Sequence, residues 1–189
     1  MELLISSVLF LTLSGCLWKS EAQKYHDVLT VPNGGQWGTW GNTVFCHEGY
    51  AFGFSLKVDP YSPLKFWKDD TSLNGIRLHC TDGKAIESTS GLLGTWSEIE
   101  KCKRGNLVSF SMSVEPPQGI FDDTAANNIH FMCDDGSTLK SKSPSWGKFG
   151  PWSNNCTTGF ICGIQTKVEN NQNSSDMTGL NDVRMFCCD

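Results

Sequence analysis

Residues 69–80 read DDTSLNGIRLHC: two carboxylates, an Asn-Gly turn and an alternating apolar run that ends on cysteine. Neighbouring side chains on an extended backbone point to opposite faces, so Asp69 and Asp70 do not by themselves converge on one substrate bond. Recurrence decides the reading. DDTAANNIHFMC runs from Asp122 to Cys133 and DMTGLNDVRMFC from Asp176 to Cys187, so aspartate, threonine, asparagine, aliphatic and cysteine return three times in the same order. The starts lie 53 and 54 residues apart, the period of an internal repeat. An active site needs to be built once, whereas a corner must be turned in every unit. The Asp-x-Thr corner is therefore read as architecture, its first Asp accepting backbone N–H groups as an Asx turn and its Thr supporting it.

Each unit opens on a related string: GTWGNTVFC (38–46), GTWSEIEKC (94–102) and GPWSNNC (150–156). Trp40, Trp96 and Trp152 recur at equal spacing and are assigned to core packing at the corners. A period-two run follows in each unit: Phe52, Phe54, Leu56, Val58, then Val108, Phe110, Met112, Val114, then Cys162, Ile164, Thr166, Val168. Such alternation predicts a strand with one buried face. Each run ends on an acid, Asp59, Glu115 or Glu169, and a loop leads to a second strand that carries Ile76, Leu78 and Cys80 or their counterparts.

In units one and two, Asp-Gly and Gly-Ser turns then lead to a short last strand, whereas unit three stops at Asp189. The missing piece is read at the other end of the chain, where Val28 to Val31 precede a Gly-x-Trp corner. Donating this strand to the third sheet closes a ring and removes an exposed edge. No segment carries a 3.6-residue apolar stripe, so the fold class is all-β with pseudo-threefold symmetry. Pattern alone fits both a three-sheet prism and a trefoil.

The first 22 residues are expected to be a secretory signal peptide, with an apolar run from Leu3 to Cys16 and a small-x-small site at Ser20-Glu21-Ala22. Residues 23–189 then form one domain of three repeats, about 38–93, 94–149 and 150–189 plus 27–37. No later apolar stretch is long enough for a membrane span, so the expectation is a secreted, extracellular protein. Fifteen Lys and Arg against twenty Asp and Glu give a net charge of -5, and no basic run points to nucleic acid.

Nine cysteines less Cys16 leave eight, an even set suited to four disulfides in an oxidising compartment. Strand-start and strand-end positions suggest Cys46 with Cys80 and Cys102 with Cys133. The pairing among Cys156, Cys162, Cys187 and Cys188 stays open. Zinc-ligand spacings, nucleophile elbows and phosphate loops are absent from the sequence, so neither metal nor cofactor is expected. Asn155 and Asn173 head glycosylation sequons.

Taken together, VPNGGQWGTWG, GFSLKV, DDTSLNGIRLHC, DDTAANNIHF, SWGKFGPWS, CGIQTKVE and VRMFCCD resemble the vitelline membrane outer layer protein family, from about Val28 to Asp189. The resemblance implies a secreted β-prism of three Greek-key sheets with internal threefold symmetry. It also implies a carbohydrate-related role in an extracellular coat. Met177, where the other units have Asp70 and Asp123, counts against any scheme needing three acid pairs.

The functional reading is a structural or carbohydrate-binding component of an extracellular coat or secretion, with glycans or glycoproteins as partners. Its candidate ligand-binding residues are the strand-end acids Asp59, Glu115 and Glu169, together with Tyr61, Phe66 and Trp67 of an aromatic loop. The other reading is weak glycosyl transfer or cleavage on amino-sugar oligosaccharides by carboxylates gathered at one end of the prism. No catalytic residue is assigned.

Overall fold

The paired apolar runs of each unit fold as a long antiparallel hairpin, because alternating branched and aromatic side chains give each strand one face to bury. The computed structural model describes residues 24–59, 72–115, 126–141, 147–170 and 178–189. Among them lie fourteen strands and no helix. They are β1 (Tyr25–Leu29), β2 (Thr39–Trp40), β3 (Val44–Phe45), β4 (Ala51–Asp59), β5 (Ser72–Cys80), β6 (Ala85–Glu87) and β7 (Thr95–Trp96). After these come β8 (Glu100–Lys101), β9 (Leu107–Val114), β10 (Ala126–Cys133), β11 (Thr138–Lys140), β12 (Lys148–Phe149), β13 (Phe160–Glu169) and β14 (Gly179–Cys188).

Three antiparallel sheets result, ordered β6-β5-β4-β7, β11-β10-β9-β12 and β1-β14-β13-β2, with β8 and β3 pairing with β4 and β13. The amino-terminal strand does complete the third sheet: Val28 pairs with Phe186 and Leu29 with Met185. The sheets are offset from the sequence repeats. Strands β2 and β3 come from the opening string of the first repeat yet pair with β13 of the third. The first sheet likewise takes β7 and β8 from the opening string of the second repeat, which interlocks these walls.

The inner faces share one core in which Phe131 lies 4.7 Å from Phe54 and 6.3 Å from Phe110, ring centre to ring centre. Each fully buried aromatic or aliphatic side chain there contributes about 1.5–3 kcal/mol. Disulfides Cys46–Cys80, Cys102–Cys133 and Cys156–Cys187 stand at equivalent places in the three units. Cys162–Cys188 is extra to the third.

Two expectations change. In each unit the first member of the alternating run is the extra residue of a bulge: Phe52, Val108 and Cys162 are skipped in the pairing, and Ala51, Leu107 and Ile161 before them enter the core. The inserted residue turns the side chain that follows the core position outward. Cys162 accordingly joins Cys188, Phe186, Phe45 and Tyr50 in a separate cluster. Secondly, β9 is buried on both faces, since Ser111 Oγ donates to the Gly150 carbonyl and Ser153 exchanges bonds with Phe110 over its outer side.

Candidate functional site

The second bulge of each hairpin builds the corner that follows the strand-end acid. The extra residue there is Asn74, Asn127 or Asn181, the asparagine of the recurring motif, and all three are buried. A buried amide must spend its hydrogen bonds on protein, and Asn181 does so. Its Nδ2 donates to Thr178 Oγ1 (2.6 Å) and to the Gly179 carbonyl (3.3 Å), and its Oδ1 accepts the Trp37 N–H (3.1 Å). The main-chain carbonyl of Asn181 accepts from Gly35 N–H, as that of Asn74 does from Gly91.

Thr178 passes the chain of bonds on. Its hydroxyl donates to Glu169 Oε2 at 2.7 Å, and its N–H reaches the same oxygen at 3.4 Å. In the third unit the threonine of the motif thus bridges the buried asparagine to the strand-end acid. Asp69, Asp70, Asp122, Asp123, Asp176 and Met177 lie outside the described residues.

Beside this relay, Gly38, Thr39, Val168, Glu169 and Asn170 line an open groove at the edge of the third sheet. Trp37, one residue before Gly38, leaves 53% of its surface exposed. Lys167 Nζ is held by the Gln36 carbonyl at 2.7 Å, and Asn170 Nδ2 reaches the Ser90 carbonyl at 3.4 Å. A carboxylate, an amide and a hydroxyl are groups that fix a polyhydroxylated ligand through hydrogen bonds, and the exposed indole lies one residue along the chain from this lining.

Of the predicted acids, the groove contains Glu169 and neither Asp59 nor Glu115. Asp59 is only 6% exposed, in register with Ser72, and Glu115 is half-buried one residue beyond β9. Glycoside chemistry needs two carboxyls facing one bond, and the described groove supplies one. Tyr61, Phe66, Trp67 and Asn173 lie outside the described residues. Asn155 is exposed, with Cys156 in a disulfide and the Thr157 hydroxyl bound to Asp27 Oδ2.

Trp40 and Trp96 are not core residues. Each lies half-buried on the outer side of its sheet with a guanidinium 4.0 Å from its ring centre, Arg184 and Arg77 respectively. The third member of this set is Phe149, stacked on His130 at 3.9 Å, because Lys148–Phe149 occupies in the second sheet the place of Thr95–Trp96 in the first. Trp152 falls outside the pattern and is 39% exposed. Trp37 and the buried asparagines were not singled out in the sequence. The usable signal was the asparagine inside an otherwise apolar strand, where it needs a built partner set.

Burial holds the His79 and His130 imidazoles below their ordinary value, helped by Arg77 and Lys140 respectively. Burial pushes the Asp182 carboxyl up, opposed by the Val183 N–H, Lys167 and Arg184. For a histidine with a lowered folded value the unfolded chain takes up the proton first. The associated stability is complete above the ordinary imidazole value of about 6.5 and is lost as pH falls through it. The melting temperature is expected to drop between pH 7.5 and pH 5, and His79→Gln with His130→Gln to flatten that step. An unchanged slope in the double variant would refute the assignment.

Residues 27–189 match the sequence family described as Vitelline membrane outer layer protein I. The chain is 48% identical over 172 residues to the vitelline membrane outer layer protein 1 homolog of Homo sapiens, covering 87% of this chain and 84% of that one. It is 45% identical over 173 residues to the Mus musculus protein of the same name, covering 87% and 85%. Among solved structures, a mannose binding lectin from Champedak superposes with a TM-score of 0.54 over 89% of this chain and 98% of that one, at 11% identity. That likeness is one of fold, and it bears out the β-prism over the trefoil. Among the described residues no helix is long and apolar enough to cross a membrane.

Proposed function

The chain belongs to the vitelline membrane outer layer protein I family, and from that premise we propose that it is a secreted, carbohydrate-binding component of an extracellular coat or secretion. The observation that carries this reading is the groove of the third sheet, lined by Gly38, Thr39, Val168, Glu169 and Asn170, where Glu169 is held by Thr178 and the buried Asn181, and the exposed Trp37 directly precedes Gly38 in the chain. A pre-oriented carboxylate does not have to be ordered when a ligand arrives, which lowers the entropic cost of binding. The half-open shape suits the end or flank of a chain of sugars. Saccharide binding by the lectin of like fold lends the reading support without identifying the ligand.

The test is a glycan array bearing mannose and N-acetylglucosamine oligosaccharides, followed by calorimetry with the strongest ligand. Trp37→Ala is expected to weaken binding at least tenfold, about 1.4 kcal/mol, with no change in melting temperature. Glu169→Gln, which keeps an acceptor for Thr178, is expected to do the same. The reading is abandoned if no saccharide rises above background, or if both variants bind as the wild type does.

A further inference from the structure

The internal repeat supplies its own control for a second site on the outer face. Arg77, His130 and Arg184 occupy one place in β5, β10 and β14, and each lies on an aromatic ring from a short strand: Trp96, Phe149 and Trp40. What faces them from the neighbouring strand differs. In the first sheet Glu87 of β6 is in register with Arg77 and neutralises it, with Nε and Nη2 at 2.9 and 2.8 Å from Oε2. In the second, Lys140 of β11 is in register with His130. In the third, the β1 register of Val28 with Phe186 and Leu29 with Met185, continued by one residue, brings exposed Thr30 opposite Arg184.

Arg184 therefore has the stacked aromatic of Arg77 without its carboxylate. Among the described residues it donates one hydrogen bond, from Nη1 to Gln165 Oε1 at 3.4 Å, while Gln165 Nε2 is turned to the Gly41 carbonyl. Among the described residues of β13 and β14, Asp182 and its register partner Lys167 carry neighbouring charges. Asp182 is half-buried, accepts the Val183 N–H and forms no ion pair with Arg184, and Lys167 is bound to the carbonyls of Gly35 and Gln36. A guanidinium fixed from behind by an indole and left with free donors matches an oxyanion, which it holds through two parallel bonds. A single stacked guanidinium in a chain of charge -5 does not suit a polyanion such as nucleic acid. Its flanks, Thr30 and Gln165, are neutral hydrogen-bonding groups of the kind that meet sugar hydroxyls. Trp40 is also next to Thr39, which lines the groove of the third sheet.

We propose that Arg184, backed by Trp40 and flanked by Gln165 and Thr30, binds the carboxylate or sulfate group of an anionic saccharide. The site does not depend on occupation of the neighbouring groove by a neutral sugar.

Titration of the full protein, followed by the arginine Nε–H resonances, tests this with four probes: sodium sulfate, a heparin-derived disaccharide, a hyaluronan tetrasaccharide and neutral chitotetraose. One or both anionic saccharides are expected to shift the Arg184 resonance saturably, at least tenfold more tightly than chitotetraose and than free sulfate. The heparin and hyaluronan arms separate sulfate from carboxylate recognition. Thr30→Glu rebuilds in the third sheet the pair seen between Arg77 and Glu87, and is expected to weaken binding at least tenfold, whereas Thr30→Gln is not. Glu87→Thr is expected to open a second saturable site at Arg77. Absence of a saturable shift at Arg184, equal binding by Thr30→Glu, or free sulfate binding as tightly as the saccharides would overturn the proposal.

Discussion

A chain shortened to begin at Pro32 is expected to melt about 10–20 °C below the longer one while its four disulfides stay closed. The loss follows from what β1 contributes to a sheet that is otherwise drawn from the opposite end of the sequence. Leu29 and Val31 are 4% and 7% exposed within the shared core. Tyr25 covers Phe45 and Phe186, at 5.8 and 4.9 Å between ring centres, and Asp27 accepts both the N–H and the hydroxyl of Thr157. Burial of Leu29 and Val31, with the partly covered ring of Tyr25, stabilises by about 5 kcal/mol, a large share of the roughly 5–15 kcal/mol that holds a domain folded. Removing them also frees the outer edge of β14 for pairing with another chain. The measurement is thermal unfolding with and without a peptide of residues 24–35 added in trans, which is expected to restore most of the loss. A shortened chain that melts with the longer one would show that β1 does not close the third sheet.

This closure was legible because the third repeat lacks a strand that the first two possess, and the only β-branched run left over is Val28 to Val31. The threefold order of aspartate, threonine, asparagine and cysteine likewise carried the hairpins and two of the disulfides. The bulges were less visible. An extra residue in a strand simply restarts the alternation, so Phe52, Val108 and Cys162 look like core positions when read forward from the start of the run. The trace they leave is an apolar pair, Ala51-Phe52, Leu107-Val108 and Ile161-Cys162, in which adjacent side chains cannot share a face. The same blindness left the third-unit cysteines unpaired, since Cys162 faces outward only because of its bulge.

The candidate corner was half legible. Glu169 was found because strand ends are marked by turn residues, but the expectation that its counterparts share one cleft presumed that equivalent positions converge. The described groove holds Glu169 without Asp59 or Glu115, and Asp59 is withdrawn into the protein. The tryptophans show a different failure. The stretch SWGKFGPW holds two aromatics that each stand two residues after a glycine, Phe149 and Trp152, and equal spacing in the sequence favoured Trp152. Register selects Phe149, because Gly147, with φ +74, is the glycine that packs on the main chain at the end of β9.

That glycine and its two counterparts set the second large expectation. Gly38, Gly94 and Gly147 have φ of +79, +88 and +74, and a Cβ on each would run into the main-chain carbonyl of Val168, Val58 or Val114. Gly83 and Gly136, at +82 and +79 in hairpin turns, have nothing within 4 Å of such an atom. Alanine at Gly83 therefore pays only for a left-handed backbone, about 1 kcal/mol. Alanine at Gly38 adds overlap with main chain, which has no rotamer by which to give way, for a total of about 3–4 kcal/mol. The strain would be relieved by moving β2 away from β13, which widens the groove between Thr39 and Glu169 and withdraws the Trp37 N–H from Asn181. Gly38→Ala is thus expected to weaken glycan binding as well as stability, whereas Gly94→Ala destabilises comparably and leaves binding intact, because its carbonyl partner belongs to the first sheet. Urea unfolding of the Gly38, Gly94 and Gly83 variants, with calorimetry on the first two, separates these terms. Equal costs at Gly38 and Gly83 would mean that the sheets yield easily at this seam, and the pre-set geometry argued for Glu169 would then lose its basis.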